Sequence, residues 1–313
     1  MTVQILNLNA SFDHTGILKH KTESNVVRVD EVVALSSGKG IDVARVLNTL
    51  KFNDYQVNNI VGGAVGEIII RGLEKEGINS WNYKIEGDSR INYALVDEFK
   101  DEFLMINEQG PLITEEEKQN YFKELEDWLI EDGVLVLAGS ATRGFKGDDI
   151  QRILKTAISK NMYITVDISK QYLKASLEEK LDVLKINEKE FSTAYKDKYH
   201  LSFNNKKDYI KVAREENFEK LIITFGEEGA LYYSDQNIYW GTHTKKYSNY
   251  AIGSGDSFFA GYIYGFMSDY EEIESFRLAL ACGVANTRMY GASRLKIEHI
   301  NEIKDNHLKI ERW

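Results

Sequence analysis

Short apolar runs alternate with longer amphipathic segments along most of this chain, and this alternation constrains its fold more than any other feature. The apolar runs predict buried strands at residues 3–8, 134–137, 163–166, 183–186 and 221–224. The amphipathic segments predict helices at 43–47, 68–76, 114–130, 149–160 and 208–216. Such alternation is typical of βαβ crossovers and a mainly parallel sheet, whose ligands collect at the carboxyl ends of the strands.

Two segments depart from this pattern. Residues 26–35 and 90–106 show the period of two that is typical of half-buried strands, and the second segment turns near 98–102. They predict a small antiparallel lid, formed by about 12–36 and 88–108, on a single domain spanning 1–313. A further hairpin is expected between 230–233 and 238–240. Thr114 and Glu117 form a capping-box pattern, which predicts a helix start.

Charge and cysteine content exclude several classes of partner. The formal net charge of −10 argues against nucleic acid or an anionic membrane surface as a partner. We find no apolar run of about 18 residues and no secretory signal pattern, so we expect a cytoplasmic protein without a membrane span. The single cysteine, Cys282, lies among small residues and is expected to pack in the core.

The segment Gly253-Ser254-Gly255-Asp256 opens directly into a predicted helix. Glycines flanking a serine allow successive backbone N–H groups to face one hollow, at a helix end that favours anions. A carboxylate beside an anion site is electrostatically unfavourable unless it transfers a proton or binds a metal. The string therefore points to phosphoryl transfer with Asp256 as the base. The alternative is an ordinary helix cap. Taken alone, a string of four residues is better explained by this alternative.

A second glycine-rich segment, Gly38-Lys39-Gly40, precedes the first predicted helix. Its small residues let a ligand approach the backbone, and the ammonium of Lys39 can pair with a phosphate. The segment lacks the spacing of a Walker loop. Taken alone, the segment favours the alternative of a solvated lysine in a turn.

Together these segments resemble the ribokinase-like (PfkB) carbohydrate kinases, and most closely the branch of 1-phosphofructokinases and tagatose-6-phosphate kinases. The resemblance spans nearly the whole chain in the family's order, through segments 37–44, 62–66, 89–92, 106–111, 139–140, 185–190, 224–230 and 253–256. It implies a three-layer α/β/α core with a mainly parallel sheet and a small β lid. It also implies an ATP- and Mg²⁺-dependent kinase.

For the nucleotide side, the resemblance implies that Asp256 is the general base and that the N–H groups of Gly253, Ser254 and Gly255 form an anion hole. Asn187 and Glu190 match a motif that positions magnesium and phosphate, partly through water. The alternative for this pair is a helix N-cap with its partner three residues on. Further nucleotide contacts are expected from Thr224, Gly226, Gly229 and Asn286, although Asn286 is equally explained by close helix packing.

For the acceptor side, the resemblance implies that Asp13 holds sugar hydroxyls and that Asn92 adds a hydrogen bond. The phosphate already on the substrate is expected to meet Lys39, Arg90 and Arg28. Both arginines are equally explained as exposed basic residues of a lid strand. The remaining expected substrate contacts are Gly38, Asp42 and Ser140.

The chain departs from the family pattern at several positions. The usual proline after Asn9 is Ala10, the first glycine of the lysine segment is Ser37, and the usual asparagine is Asp42. An acidic residue near a substrate phosphate is repulsive, so Asp42 either bonds a hydroxyl or turns away. These departures leave the catalytic groups in place but loosen the substrate assignment.

The leading hypothesis is a kinase that converts fructose 1-phosphate or tagatose 6-phosphate to the bisphosphate. A kinase of an unphosphorylated sugar or nucleoside is the nearest alternative, and a non-catalytic sugar or nucleotide sensor is the next. A Rossmann dehydrogenase is disfavoured because no Gly-x-Gly-x-x-Gly follows the first strand. A homodimer through the lid is a further expectation.

Overall fold

Strands and helices alternate through the computed structural model, which describes residues 1–21, 26–168, 170–216, 218–245, 247 and 250–313. The strands are β1 (Val3–Asn7), β2 (Ser11–Leu18), β3 (Glu31–Ser37), β4 (Tyr55–Gly62), β5 (Ser80–Ile85), β6 (Arg90–Asp97), β7 (Glu102–Asn107), β8 (Val134–Gly139), β9 (Tyr163–Ile168), β10 (Val183–Asn187), β11 (Lys220–Thr224), β12 (Ala230–Ser234), β13 (Ile238–His243) and β14 (Leu308–Arg312). The helices are α1 (Lys39–Thr49), α2 (Gly63–Glu76), α3 (Glu115–Trp128), α4 (Gly147–Ser159), α5 (Lys170–Ser176), α6 (Glu188–Tyr199), α7 (Lys206–Glu215), α8 (Ser254–Met267), α9 (Glu272–Asn286) and α10 (Ile297–Asn306). Every strand predicted from an apolar run and every helix predicted from an amphipathic segment is present.

The large sheet has the order β14-β13-β12-β11-β10-β9-β8-β1-β4-β5. Its strands run parallel from β5 through to β11, and the predicted hairpin of β12 and β13 extends it with antiparallel pairing. Alternate side chains of β8 enter different cores, because neighbouring residues of a strand face opposite sides. Val134 and Val136 join the core with α1 and α9, whereas Leu135 and Leu137 join the core with α3 and α4. This confirms the three-layer α/β/α core.

A second, small sheet has the order β3-β2-β6-β7 and forms the lid. Its outer pairings are antiparallel, as expected, and β6 and β7 are joined by the predicted turn. The central pairing of β2 with β6 is parallel. Both of these strands follow strands of the large sheet, β1 and β5, that run in one direction, so they enter the lid in the same direction.

Strand β3 of the lid is shorter than its pattern predicts. It begins at Glu31 rather than near residue 26, and residues 22–25 of the expected lid lie outside the described residues. Asp30 accounts for this limit: its Oδ2 accepts the backbone N–H of Lys19 at 2.8 Å, where a further ladder bond would otherwise form. Arg28 is therefore exposed and precedes the strand.

The lid rests on the core through apolar contacts. Ile17, Val33 and Val96, from three lid strands, form a buried cluster with Tyr250. The space between the lid and the loop that carries Tyr250 has a volume of about 10 Å³, which is room for about one water molecule. The lid is thus fixed at its outer part, and its foot, the end where Ser11 pairs with Ser37, lies over the carboxyl edge of the large sheet.

Smaller sequence predictions also hold. Thr114 Oγ1 accepts the N–H of Glu117 at 3.2 Å, and the Glu117 carboxylate accepts the N–H of Thr114 at 2.7 Å, which is a capping box. Cys282 is a free, buried thiol whose pKa is raised by burial, as expected for core packing. Among the helices that the structure describes, none is both long enough and apolar enough to pass through a bilayer.

Candidate active site

The predicted functional segments meet at one edge of the large sheet. Asn7, Gly139 and Asn187 end the strands β1, β8 and β10, while Asp167 lies one residue before the end of β9. Because these strands are parallel, their carboxyl ends face the same side. The starts of α1 and α8 lie against this edge, so distant parts of the chain form one site.

The start of α8 is shaped by Gly253, which has a φ of 82°. A Cβ at this position would lie 2.6 Å from the backbone nitrogen of Ser293, so only glycine fits. Of the predicted anion-hole donors, Ser254 gives its N–H to the carbonyl of Ala251 at 3.0 Å. The N–H groups of Gly255 and the following Asp256 lie in the first turn, where a helix leaves donors without an internal acceptor.

Asp256 belongs to a chain of opposite charges across the site. The Lys39 Nζ lies 2.9 Å from Asp256 Oδ1 and 2.9 Å from Asp167 Oδ2. Lys185 Nζ lies 2.6 Å from the same oxygen of Asp167. Lys39 is therefore held between two carboxylates from β9 and α8, and is not a free lysine in a turn.

These contacts perturb the protonation of the site. Burial raises the pKa of Asp256, Lys39 opposes that rise, and the negative charge of Asp167 adds to it; the net pKa is raised. Burial also disfavours the charged form of Asp167, but Lys185 and Lys39 outweigh burial and hold its pKa below the usual value. Desolvation opposes the charge on Lys39, yet the two carboxylates raise its pKa. Asp256 is thus the more basic of the two carboxylates.

A cavity of about 310 Å³ lies beside the start of α8. The predicted nucleotide residues Thr224, Gly226 and Gly229 line it, and Ser254 and Gly255 lie at its edge. Its other walls are contributed by residues that the sequence did not single out, including Phe258, Leu280, Val284 and Thr287. The cavity is largely apolar with an anion-binding helix start at one end, an arrangement that suits a nucleotide.

Asn286 does not line this cavity. It is fully buried, and its Nδ2 donates to the carbonyl of Ile252 at 2.7 Å and to Ser254 Oγ at 3.0 Å. It supports the loop before α8 instead. The structure thus brings Thr224, Gly226 and Gly229 together at the cavity, whereas Asn286 does not reach the cavity surface.

Asn187 and Glu190 form the helix cap that was the alternative to a metal role. Asn187 Oδ1 accepts the N–H of Glu190 at 2.9 Å, and Asn187 Nδ2 donates to Glu190 Oε2 at 2.6 Å. Among the described residues, no cluster of three or more His, Cys, Asp or Glu side chains is placed to bind a metal. Asn187 lies two residues beyond Lys185, and with Glu190 it presents partly exposed amide and carboxylate oxygens. Such a donor set fits a Mg²⁺ ion that keeps most of its waters.

The foot of the lid carries the predicted sugar residues. Asp13 Oδ1 accepts hydrogen bonds from Ser11 Oγ at 2.7 Å and from Asn92 Nδ2 at 2.8 Å. Arg90 Nη2 donates to the carbonyl of Asn9 at 3.0 Å, and burial lowers the pKa of Arg90 against the pull of Asp13. Within the described chain, Arg90 Nε and Asn92 Oδ1 are buried without a hydrogen-bond partner. A donor and an acceptor thus remain for a ligand.

Arg28 is not brought to this group. Ser37 pairs with Ser11 at the foot of the lid, whereas Glu31 pairs with Ile17 at the other end. Arg28 precedes Glu31, so within this chain it lies at the end of the lid remote from Arg90. Its position gives no support to a phosphate contact within the chain.

The remaining predicted substrate residues also lie at the carboxyl edge. Gly38 has a φ of 122°, and a Cβ there would lie 2.5 Å from Asn7 Oδ1. Ser140 Oγ accepts from Asn9 Nδ2 at 3.1 Å. Asp42 is buried and turns toward Arg45, whose Nη1 lies 2.7 Å from its Oδ1. The sequence left open whether Asp42 bonds a sugar hydroxyl or turns away from the site, and the contact with Arg45 bears on that choice.

Sequence reasoning missed Asp167 and Lys185 as site residues. Lys185 is 4 % exposed, and its Nζ lies 3.3 Å from the position of a Cβ on Gly255, next to the predicted anion hollow. The signal was present: a lysine and an aspartate each interrupt an apolar strand near its carboxyl end. A charge in such a strand is costly unless it is paired.

Comparison with known proteins gives a family and several relatives. Residues 6–299 match the model of the pfkB family of carbohydrate kinases. The chain is 28 % identical over 287 residues to the 1-phosphofructokinase of Bacillus subtilis (strain 168), covering 90 % of this chain and 91 % of the relative. It is 27 % identical over 300 residues to the tagatose-6-phosphate kinase of Staphylococcus epidermidis (strain ATCC 12228 / FDA PCI 1200), covering 95 % and 96 %.

A solved structure shares the fold. Phosphofructokinase-2 from Escherichia coli, in complex with substrates and products, superimposes with a TM-score of 0.89 at 22 % identity. The match covers 97 % of this chain and 99 % of that chain. At this identity the likeness shows the common architecture, and the chemistry is argued from the residues themselves.

Proposed function

The chain belongs to the pfkB family of carbohydrate kinases, and we propose that it transfers the γ-phosphoryl group of ATP to a hydroxyl of a ketohexose phosphate, giving a bisphosphate. One observation carries the proposal: Asp256, a buried carboxylate with a raised pKa, adjoins the first-turn N–H groups of α8 and lies 2.9 Å from Lys39. Two relatives are named 1-phosphofructokinase and tagatose-6-phosphate kinase. Fructose 1-phosphate and tagatose 6-phosphate are therefore the first candidate substrates.

Asp256 acts as general base in this proposal. It takes the proton of the acceptor hydroxyl as that oxygen bonds to the γ-phosphorus and the bond from phosphorus to the β-phosphate oxygen breaks. A carboxylate with a raised pKa holds the proton better than an ordinary aspartate, which favours this transfer. ADP leaves, and the proton passes on to solvent.

Main-chain and lysine donors stabilise the charge on the transferred group. The N–H groups of Gly255 and Asp256 supply the helix-start dipole, and Lys185 supplies a buried ammonium beside them. Asp167 holds Lys185 and Lys39 in place, so their charges are positioned before the nucleotide arrives. Such fixed groups need no reorganisation during the reaction.

Nucleotide and metal have matching places. The cavity of about 310 Å³ would take the nucleoside part of ATP, with its phosphates directed toward α8. Asn187 and Glu190 would hold Mg²⁺ through water, and when bound the ion would offset charge on the phosphates. On the acceptor side, Asp13 would accept sugar hydroxyls while the unpaired Nε of Arg90 would donate to the existing phosphate.

The decisive experiment replaces Asp256 with asparagine. We expect turnover to fall by at least a thousandfold in a coupled ADP-release assay with fructose 1-phosphate, tagatose 6-phosphate and fructose 6-phosphate, while nucleotide and sugar still bind. The matched control is Asp149→Asn, which also removes a carboxylate paired with a buried lysine, Lys118, but on α4. Near-normal turnover of the Asp256 variant would refute the assignment of the base.

A kinase of an unphosphorylated sugar or nucleoside is the second candidate, favoured by the two carboxylates, Asp13 and Asp42, near the acceptor side. It predicts that Arg90→Met leaves activity on the preferred substrate largely intact, whereas our proposal predicts a KM raised at least tenfold. A sensor without catalysis would release no ADP with any sugar in the panel.

We also propose a homodimer formed through the lid. On its outer face, Tyr93 lies opposite Ile106 and Leu95 opposite Leu104, and these side chains are 37–59 % exposed. Such a row of apolar side chains on a sheet supports an interface. We expect Leu104→Lys to give a monomer in analytical ultracentrifugation, whereas Ile158→Lys, an equally simple change on α4, would leave the mass unchanged. A monomeric wild type would refute the dimer.

A further inference from the structure

Tyr250 joins the lid to the segment that leads into α8. It lies shortly before Asp256 in the sequence and is 2 % exposed. Its ring packs with apolar side chains from every strand of the lid. These are Ile17, Val33 and Val96 in one buried cluster, and Phe103, whose ring centroid lies 6.0 Å away. A single residue of the core is thus in contact with the lid across its full width.

The hydroxyl of Tyr250 adds a polar link to the same contact. Its Oη lies 3.4 Å from Thr15 Oγ1 on β2 and accepts the N–H of Gly291 at 3.3 Å. Thr15 and Asp13 are two residues apart on β2, so their side chains face the same side of the lid. Both line the space of about 10 Å³ between the lid and this segment, together with Ile252. The face of the lid that carries the predicted sugar residues therefore rests on the segment before α8.

The backbone between Tyr250 and the start of α8 is held by hydrogen bonds at each residue. The carbonyl groups of residues 251, 252 and 253 each accept one. Their donors are Ser254 N–H at 3.0 Å, Asn286 Nδ2 at 2.7 Å and Ser293 Oγ at 3.2 Å. Because closely packed and bonded segments transmit a displacement rather than absorb it, a shift of Tyr250 would reach the first turn of α8, where Asp256 lies.

We propose that Tyr250 is a positioning residue that sets the distance between an acceptor sugar held by the lid and the base Asp256. The inference rests on the proposed function, which it deepens. Asp13 and Asn92 would hold the sugar on the lid, whereas the base belongs to α8, so the contacts between these two elements decide whether hydroxyl and carboxylate meet. A displacement of about 1 Å costs about a hundredfold in rate. A displaced acceptor also admits water, whose oxygen then bonds to the γ-phosphorus as the bond to the β-phosphate oxygen breaks, giving ADP and inorganic phosphate, while Asp256 takes the proton.

The test replaces Tyr250 with leucine, which removes the ring and the hydroxyl from the lid contact. The substrate is whichever of fructose 1-phosphate, tagatose 6-phosphate and fructose 6-phosphate the wild type converts fastest. We expect kcat for bisphosphate formation to fall at least tenfold, while the dissociation constant of that sugar phosphate, measured by calorimetry, stays within about threefold. The ADP released per bisphosphate formed should rise from about one to about two or more. This ratio does not depend on the fraction of enzyme that is folded, so a loss of stability alone leaves it unchanged.

The matched control is Tyr195→Leu, which removes a ring of similar burial, 4 % exposed, from α6. It should lower the urea midpoint of unfolding as Tyr250→Leu does, yet keep about one ADP per bisphosphate. Tyr250→Phe keeps the ring, so it decides the question if the leucine variant does not fold; we expect kcat to fall at least threefold and the ratio to rise. An unchanged ratio in the folded Tyr250 variant, or an equal rise in Tyr195→Leu, would overturn the positioning role. Absence of bisphosphate with the wild type would instead count against the proposed function.

Discussion

Replacing Asp167 by asparagine tests whether the charges at the carboxyl edge work as one unit. Its Oδ2 lies 2.6 Å from Lys185 and 2.9 Å from Lys39, and the side chains of Asp167 and Lys185 are 5 % and 4 % exposed. The asparagine keeps the shape but removes the charge, which leaves both lysines with Asp256 as the nearest carboxylate. Breaking a buried pair costs about 3–5 kcal/mol. Lys39 is 36 % exposed, so solvent screens its share and we expect about 3 kcal/mol.

The same substitution should move the pH dependence of activity. Burial raises the pKa of Asp256, Lys39 opposes that rise, and the negative charge of Asp167 raises the pKa further. With a neutral residue at 167 that repulsion is lost, so Asp256 releases its proton at a lower pH. The base form then persists further into acid, and the acidic limb of kcat/KM should shift to lower pH. We therefore expect the free energy of unfolding to decrease and the acidic limb of kcat/KM to shift to lower pH in the same variant.

Urea unfolding and a pH series of ADP release measure both effects in one variant. A loss of about 3 kcal/mol lowers the folding equilibrium constant roughly a hundredfold. Asp149→Asn is the control, because its carboxylate lies 3.0 Å from the buried Lys118 but on α4, away from the site. It should lose stability without moving the acidic limb. If Asp167→Asn left the limb in place, or moved it to higher pH, the electrostatic reasoning would be refuted.

Three further substitutions test the hollow, the cavity and the core. Gly255→Ala places a methyl group 3.3 Å from Lys185 Nζ, so steady-state kinetics should show kcat reduced at least tenfold with folding intact. Val284→Trp fills the cavity of about 310 Å³, so the KM for ATP should rise at least tenfold while the sugar KM stays within about twofold. Tyr121→Phe removes the donor 3.1 Å from Asn58 Oδ1, and urea unfolding should show a loss of about 1–3 kcal/mol.

The core of the fold could be predicted from the sequence because each strand and helix carries its own periodicity. The strand at 134–139 is apolar on both faces, and both faces are buried against helices in the structure. The lid was predicted in kind but not in detail. Strand β3 begins only at Glu31 because Asp30 bonds the backbone of Lys19, and no pattern in a single segment shows such a pairing.

The candidate site was predictable where glycines limit the backbone and less so where charges pair. Gly38 and Gly253 hold φ values of 122° and 82°, and their positions in the sequence already indicated close approach of a ligand. The roles of Asp167 and Lys185 depend on each other and on Lys39. Their importance emerges only when β9, β10 and α1 are placed side by side.

Asn187 and Lys39 show what decides between a structural and a functional interpretation. An N-cap with a carboxylate three residues on has the same spacing whether or not a metal lies beyond it, and the structure contains the cap itself. For Lys39 the ambiguity disappears, because its partner Asp167 lies 128 residues away in the sequence and no turn requires that contact. A pair that joins the start of a helix to a buried carboxylate on a distant strand is costly to form without good geometry. Long-range charge pairing therefore argues more strongly for a functional site than any local motif that also caps a helix.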